Sequence, residues 1–101
     1  MIMRVWHGWT RAKDADEYDR LLHDEILPGI HHIKGYGGAW VLRRVAGDEV
    51  EFVIITTWDS WAAIEAFAGK GRTKPVIHPK AARLLTRHDE QSAHFDAAWV
   101  P

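Results

Sequence analysis

The sequence predicts an α+β fold: a single ferredoxin-like βαββαβ domain with an antiparallel sheet. Three observations support it. Segments with strand and helix patterns alternate in that order along the chain. A hairpin turn separates the two central strands. The segment 49–67 reads as a strand that runs directly into a capped amphipathic helix. The 101 residues are enough for one core, so residues 1–101 are assigned to one domain.

The third strand is apolar on both faces, which is unusual. An antiparallel sheet in a small domain normally leaves one face polar for water. Here both alternating sets of side chains are apolar or threonine: Phe52, Ile54, Thr56 and Trp58 on one side, and Val53, Ile55 and Thr57 on the other. We therefore expect helices on one face of the sheet and a second subunit on the other.

The first half of the chain supplies a strand, a helix and a second strand. Strand one is predicted over Arg4–Thr10. Asp14 is placed to cap the first helix, with Glu17 as its capping-box partner. Pro28-Gly29 is expected to end that helix. Strand two is predicted over Tyr36–Val45. The helix carries an apolar stripe of Tyr18, Leu21, Leu22 and Ile26.

The second half begins with a turn of hairpin length, Ala46-Gly47-Asp48, into strand three, Val50–Trp58. Asp59 or Ser60 can cap helix two. A basic loop, 69–75, follows this helix. Its Lys70, Arg72 and Lys74 could meet a ligand carboxylate at the cavity mouth, but a solvated loop is the expectation. Pro79 suits the first position of a short third helix through Leu85, and Ser92–Val100 is the predicted last strand. The apolar stripe of helix two is Trp61, Ile64, Phe67 and Ala68.

Charge and composition narrow the classes of partner. With 13 basic and 14 acidic residues, the net charge of −1 predicts no nucleic-acid partner and no anionic membrane surface. The absence of cysteine excludes disulfides and thiolate catalysis. No signal-peptide pattern and no apolar run of about 20 residues is present, so a cytoplasmic location without membrane association is expected.

The histidine spacings do not predict a metal site. His31 and His32 are adjacent and would diverge on an extended segment, and no His-x-x-x-His pair lies on a predicted helix. His94 and Asp96 form at most a two-ligand fragment. The glycines near Lys70 lack the spacing of a phosphate loop, and no dinucleotide fingerprint occurs. No metal and no cofactor of the protein's own is predicted.

Two histidines are candidate catalytic residues. His78 precedes Pro79 at a predicted helix start, where the helix dipole disfavours the imidazolium form. A neutral ring there could act as a base toward a phenol or hydroquinone, or it could be a loop histidine without a role. His7 lies mid-strand and faces either the cavity or the subunit interface, unless it is a core histidine. Because strand neighbours alternate, Trp6 and His7 cannot both line one cavity.

An aromatic-walled cavity for a flat organic molecule is the predicted binding site. Tryptophan is abundant, with six residues, although most tryptophans on strands serve cores or interfaces. Tyr18 is either plain core or a hydroxyl donor to a ligand. The candidate ligand-binding residues are Trp6, Tyr18, Trp61, Ile64 and Phe67.

The chain resembles the antibiotic biosynthesis monooxygenase-like (ABM) family. The resemblance spans nearly the whole chain and is carried by these segments: Arg4-Val-Trp-His-Gly, Pro28-Gly-Ile, Gly35-Tyr-Gly-Gly-Ala, Leu42-Arg-Arg, Gly47-Asp-Glu-Val-Glu-Phe, Thr57-Trp-Asp-Ser, Ala63-Ile-Glu-Ala-Phe-Ala-Gly and His94-Phe-Asp. It implies a dimeric α+β barrel, in which two protomers join their sheets and each keeps a cavity between its sheet and its helices. It also implies oxidation of an electron-rich aromatic by molecular oxygen without a metal or flavin.

A branch of that family degrades heme with an Asn on strand one, a Trp on helix two and a His just after that helix. In this chain the Trp position falls on Phe67, and the Asn position falls on Trp6 or His7. Only the His position, within one residue of His78, is matched. The resemblance therefore argues against heme degradation of that type.

Three hypotheses about function follow. The first is a cofactor-independent monooxygenase acting on an aromatic or quinol-like molecule, with His78 or His7 as base. The second is a non-catalytic protein that binds a small apolar ligand on the same scaffold. The third is a heme-binding or heme-degrading protein. Each is expected to be a homodimer.

Overall fold

The protein forms one five-stranded antiparallel sheet, seen in a computed structural model that describes all 101 residues. The strands are β1 (Ile2–Arg11), β2 (Tyr36–Ala46), β3 (Glu49–Trp58), β4 (Leu85–His88) and β5 (Ala93–Asp96). Their order is β2-β3-β1-β4, with β5 pairing the other end of β1. Together β4 and β5 occupy the place of one split fourth strand. The predicted ferredoxin-like α+β fold is confirmed.

Three helices cover one face of this sheet. They are α1 (Ala15–Leu21), α2 (Trp61–Ala68) and α3 (Pro79–Ala82). The chain remains helical after α1, through a wider π turn at Leu22–Ile26 and a 3-10 turn at Pro28–Ile30. Pro28 therefore begins the last helical turn, where its missing N–H costs nothing, instead of ending the helix before it.

The predicted β2–β3 hairpin is present, with Gly47 and Asp48 as its two-residue turn. Gly47 has φ +67, a left-handed conformation that glycine adopts without a Cβ penalty. The hairpin register aligns Val45 with Val50 and Val41 with Ile54. It also fixes which side chains of β2 and β3 share a face.

One of the two predicted helix caps, that of α2, is present, and that of α1 is not. The Ser60 Oγ accepts a hydrogen bond from the Ala63 N–H at 3.1 Å and caps α2, which settles the choice between Asp59 and Ser60. Asp14 makes no side-chain cap bond to α1. Its backbone, at φ −102 and ψ −4, closes a 3-10 turn and lacks the extended geometry of a cap, so the expected capping box with Glu17 does not form.

The C-terminal part differs most from the prediction. The third helix ends at Ala82, because Leu85 already begins β4 against β1. The expected strand Ser92–Val100 contracts to β5. Its pairing with β1 ends with Asp96 opposite Ile2, and the Ala97 N–H makes one more backbone bond, to the Met1 carbonyl at 2.9 Å.

Two apolar clusters fill the space between sheet and helices. In the larger cluster, Tyr18 of α1 packs edge-on against Phe52 of β3, with ring centroids 4.7 Å apart. The smaller cluster joins Trp58 of β3 to Ile64 of α2. None of the three helices has the length and apolar character needed to cross a bilayer.

Candidate functional site

A cavity of about 560 Å³ lies between the sheet and the helices. Its volume falls within the range of about 300–1,000 Å³ found for small-molecule sites. Most of its lining is apolar, with a few polar groups from β1, β3 and the C-terminal segments. The cavity is thus suited to a small organic molecule with one or two polar substituents.

The floor of the cavity comes from alternate residues of two paired strands. Arg4 and Trp6 of β1 lie directly opposite Thr56 and Ile54 of β3. Because alternate residues of a strand point to the same side, all four face the helices. Sequence reasoning placed Trp6 here but passed over Arg4 and Thr56. The available signal was the position of Arg4, a charged residue between the apolar Ile2 and Trp6 in the set of alternate β1 side chains that face the helices.

The roof of the cavity contains two of the predicted aromatic residues, Tyr18 of α1 and Phe67 of α2. Tyr18 is only 1% exposed. Its hydroxyl makes no hydrogen bond within the protein. Because every fully enclosed side-chain oxygen has a hydrogen-bond partner, the Tyr18 hydroxyl is not fully enclosed, and it opens into the cavity. Burial raises the pKa of Tyr18 well above its usual range, so the phenol stays neutral.

Arg4 is a buried cation without an acidic partner. Its residue is 4% exposed, and no carboxylate lies within ion-pair distance. The guanidinium donates instead to the Arg72 carbonyl, to the Lys74 carbonyl at 2.8 Å and to the His94 Nε2 at 2.9 Å. Its carbon also lies 5.6 Å from the centre of the Phe67 ring. Burial lowers the pKa of Arg4, although a guanidinium remains charged in proteins.

His94 is held neutral beside Arg4. Burial lowers the pKa of His94, and the positive charges of Arg4 and Arg72 lower it further. The neutral ring can accept a hydrogen bond from Arg4 through Nε2. Its other neighbour is Trp61, whose ring meets it at 61° with centroids 5.0 Å apart.

His78 lines the cavity, but part of its ring is already engaged. Its Nδ1 accepts a hydrogen bond from the Lys80 N–H at 3.1 Å and so caps α3. A neutral histidine that accepts through Nδ1 carries its proton on Nε2. The nitrogen left for a ligand is therefore a donor, whereas the base predicted from sequence needs a free lone pair.

Glu25 lies at the rim of the same cavity. Its carboxylate accepts a hydrogen bond from the Lys80 ammonium at 2.8 Å. That bond lowers the pKa of Glu25, and the positive charge of Lys80 lowers it further. The ionised, paired carboxylate is a poor proton acceptor for a ligand in the cavity.

Three residues predicted for the site lie elsewhere. His7 is on the opposite face of the sheet, where its Nδ1 lies 2.6 Å from an Asp89 carboxylate oxygen. Trp61 is 39% exposed and packs between His94 and Arg72, outside the cavity. Ile64 is fully buried in the smaller core cluster and does not reach the cavity. The stripe of helix two turns only Phe67 toward the ligand space.

The donor set does not favour an iron centre in this cavity. No group of three or more His, Asp or Glu side chains is placed to hold a metal ion. A heme needs an axial ligand with a free lone pair, but the neutral His78 ring carries its proton on Nε2. Tyr18 stays a neutral phenol. In this arrangement neither His78 nor Tyr18 presents a free lone pair to a heme iron.

Comparison with known sequences gives no match: no protein-family model matches the chain, and no curated protein does. Solved structures do resemble it. The heme degrader MhuD of Mycobacterium tuberculosis, solved with two hemes bound in its active site, superimposes with a TM-score of 0.71 at 18% identity, covering 100% of this chain and 99% of that one.

Monooxygenase structures are also similar. An assigned antibiotic biosynthesis monooxygenase from Deinococcus radiodurans gives a TM-score of 0.68 at 16% identity, covering 100% of this chain and 96% of that one. A Streptomyces coelicolor monooxygenase in complex with nanaomycin D gives 0.62 at 13% identity, covering 99% and 91%. The chain therefore has the fold of the ABM proteins, as the sequence resemblance implied. At these identities the likeness establishes the fold alone.

Proposed function

We propose that the protein binds a flat aromatic metabolite in its cavity and oxidises it with molecular oxygen, without a metal or flavin of its own. The observation that carries this proposal is the cavity itself, which is largely apolar and has Trp6, Tyr18 and Phe67 in its walls. Aromatic walls with few polar groups are typical of sites for planar organic ligands. The ABM-type fold, shared with two monooxygenase structures, supports the oxidative chemistry by analogy.

The proposed reaction converts a phenol to a quinone. One oxygen atom of O₂ enters the ring, and the other leaves as water with two hydrogens of the substrate. All four electrons come from the substrate, so no external reductant is required. Loss of the phenol proton raises the electron density of the ring and promotes its reaction with oxygen.

The protein would contribute binding, orientation and hydrogen bonds. The Tyr18 hydroxyl is free for a ligand oxygen, and His78 can donate through Nε2. Donors aimed at an oxygen that gains negative charge stabilise the ionised substrate. His78 is thus proposed as a donor to the substrate in place of the base expected from sequence.

A second candidate function is non-catalytic binding of a small apolar ligand. The specific observation in its favour is that no cavity side chain offers a free basic lone pair. The His78 Nδ1 is bound to the Lys80 N–H, and Glu25 is paired with the Lys80 ammonium. A binding protein needs no base, so this arrangement is equally compatible with storage or transport of a ligand.

Oxygen uptake separates the two functions. Untagged protein would be mixed with 1-naphthol and with dihydroxynaphthalenes in a sealed oxygen-electrode cell, with binding followed by tryptophan fluorescence. We expect protein-dependent uptake above autoxidation with at least one compound that binds. Binding without uptake would support the second candidate, and absence of binding by all compounds would contradict both.

We further propose a homodimer joined through the sheet face that points away from the helices, here called the outer face. It carries Val5, Val53 and Ile55, together with exposed apolar side chains of β2 and β5. Trp40, Leu42 and Phe95 are 51%, 51% and 58% exposed. A contiguous apolar surface of this kind marks an interface. A cytoplasmic location remains a prediction from the sequence.

A further inference from the structure

Arg4 has unused hydrogen-bonding capacity at the cavity. A guanidinium has five N–H donors. Three of them are used, two from one terminal nitrogen to the Arg72 carbonyl and His94, and one from the other to the Lys74 carbonyl. The Nε–H and one terminal N–H have no partner in the protein. Arg4 lines the cavity, which is the space in which a ligand could meet these donors.

The charge of Arg4 is also uncompensated. All its protein partners are neutral carbonyls or a neutral imidazole. Burying a cation without an anion is costly, and such cations in proteins are normally paired. By contrast Arg43, on the same side of the sheet, bonds to both Asp16 and Asp19 at 3.2 and 3.1 Å. A bound anion would supply the partner that Arg4 lacks.

Two hydroxyl groups make this end of the cavity polar. Thr56 lies directly opposite Arg4 in the β1–β3 register. Ser92 is 4% exposed, lines the cavity and makes no side-chain hydrogen bond in the protein. Most of the remaining lining is apolar and includes Leu22, Ile26 and Leu85. The cavity therefore combines a cationic group and two hydroxyl groups with a largely apolar wall.

We propose that the ligand is an aromatic anion, with a carboxylate or ionised phenol oxygen bound by Arg4 and its rings against the apolar wall. This inference rests on the proposed aromatic ligand and specifies its charge. An ionised phenol held by Arg4 would be deprotonated before the reaction with oxygen. Its formation would then need no base from the protein, which agrees with the engaged state of His78.

The proposal can be tested with two probes of the same shape and different charge. 2-Naphthoate is an anion at neutral pH, and 2-naphthamide is its neutral counterpart. Their dissociation constants would be measured by titration calorimetry on the untagged protein. We expect 2-naphthoate to bind at least tenfold more tightly than 2-naphthamide, because charge-assisted hydrogen bonds are the stronger ones. 1-Naphthol, titrated at pH 7 and pH 10, tests the ionised phenol in the same way.

Variants test whether Arg4 causes the preference for the anionic probe. Arg4→Gln should reduce the ratio of the two affinities to near one while 2-naphthamide binds as before, and Arg4→Lys should restore part of it. Arg43→Gln is the matched control and should leave the ratio unchanged. Circular dichroism checks that each variant is folded. The wild-type ratio needs no variant, so the proposal stays testable if Arg4→Gln does not fold.

The outcomes distinguish this inference from the proposed function. Equal binding of both probes by the wild-type protein would overturn the anion proposal and leave the aromatic site standing. A preference that survives in Arg4→Gln would overturn the assignment to Arg4. Failure of every probe to bind would overturn the aromatic site and the inference together.

Discussion

At the residue scale, the cavity is defined by what its polar side chains are already bound to. Tyr18 has a free hydroxyl, Arg4 has free donors and a free charge, and His78 has one nitrogen committed to the backbone. Residue type alone does not reveal these differences. They are the basis of the proposal that the site donates hydrogen bonds to a ligand and takes no proton from it.

The role of His78 predicts a difference between two substitutions. His78→Gln keeps an N–H donor but cannot take up a proton, whereas His78→Ala loses both abilities. If His78 is a donor, His78→Gln should retain turnover within about threefold while His78→Ala loses about tenfold or more. Initial rates of oxygen uptake with a reactive hydroxynaphthalene would show this. A similar loss of about 10²-fold in both variants would instead support a base.

His94 predicts a pH dependence of stability. Burial, Arg4 and Arg72 place its pKa below the ordinary value of 6.5. The unfolded chain therefore binds a proton at His94 at a higher pH than the folded protein does. The contribution of neutral His94 to the free energy of unfolding is complete above pH 6.5, and it is lost as the pH falls toward the pKa of His94 in the folded protein.

Urea midpoints at pH 7.5 and 5.5 would measure this loss. His94→Gln keeps an acceptor for Arg4 without titrating, so it should lose less stability between the two pH values than the wild type. The exposed His32→Gln is the control and should behave like the wild type. An identical pH response in the His94→Gln variant would contradict this prediction.

Much of the site could be predicted from the sequence, and the limits have physical causes. Trp6, Tyr18 and Phe67 line the cavity, and helical spacing indicates the faces of the two helical residues, whereas the face of strand one was left open. That these residues bind a ligand stays a prediction. His7 was left open between two faces, and the structure puts it on the outer one. Arg4 was missed because its lack of a partner depends on loop carbonyls far along the chain.

At the element scale, the long strands and their hairpin follow directly from local pattern. Elements whose ends depend on distant partners do not. The split of the last strand into β4 and β5 is an example. Asp89 lies between them, and its carboxylate accepts a hydrogen bond from the His7 backbone N–H at 2.9 Å. The same carboxylate oxygen lies 2.6 Å from the His7 Nδ1. No local pattern around residues 85–96 encodes that contact.

The cap of α2 gives a prediction at this scale. Because the Ser60 Oγ accepts the Ala63 N–H, Ser60→Ala should lower the free energy of unfolding by about 1 kcal/mol. Asp59→Ala is the matched control at the neighbouring candidate cap, and it should have a smaller effect. Chemical denaturation of both variants would measure the difference. A larger loss for Asp59→Ala would show that the cap is wrongly assigned.

At the scale of the whole molecule, the two faces of the sheet have different tasks. One face holds the helices and the cavity. The outer face carries apolar side chains from four strands, with charged contacts such as His7–Asp89 and Arg44–Glu51 among them. This is the surface that the doubly apolar third strand led us to expect.

The proposed dimer makes a specific prediction about this face. Trp40→Glu and Leu42→Lys place charges in the apolar surface and should shift sedimentation from dimer to monomer at micromolar concentration. Val45→Glu is the control, because Val45 is also exposed, at 79%, but points to the other side of β2. A monomeric wild-type protein, or a dimer that persists in both variants, would contradict the proposed interface.

A crystal structure of the untagged protein with 2-naphthoate would test whether the cavity is a site for an aromatic ligand. We expect the naphthalene rings between Trp6 and Tyr18, with the carboxylate within hydrogen-bond distance of Arg4. The proposed site would be wrong if the probe bound only on the outer face, or if the cavity excluded it at saturating concentration.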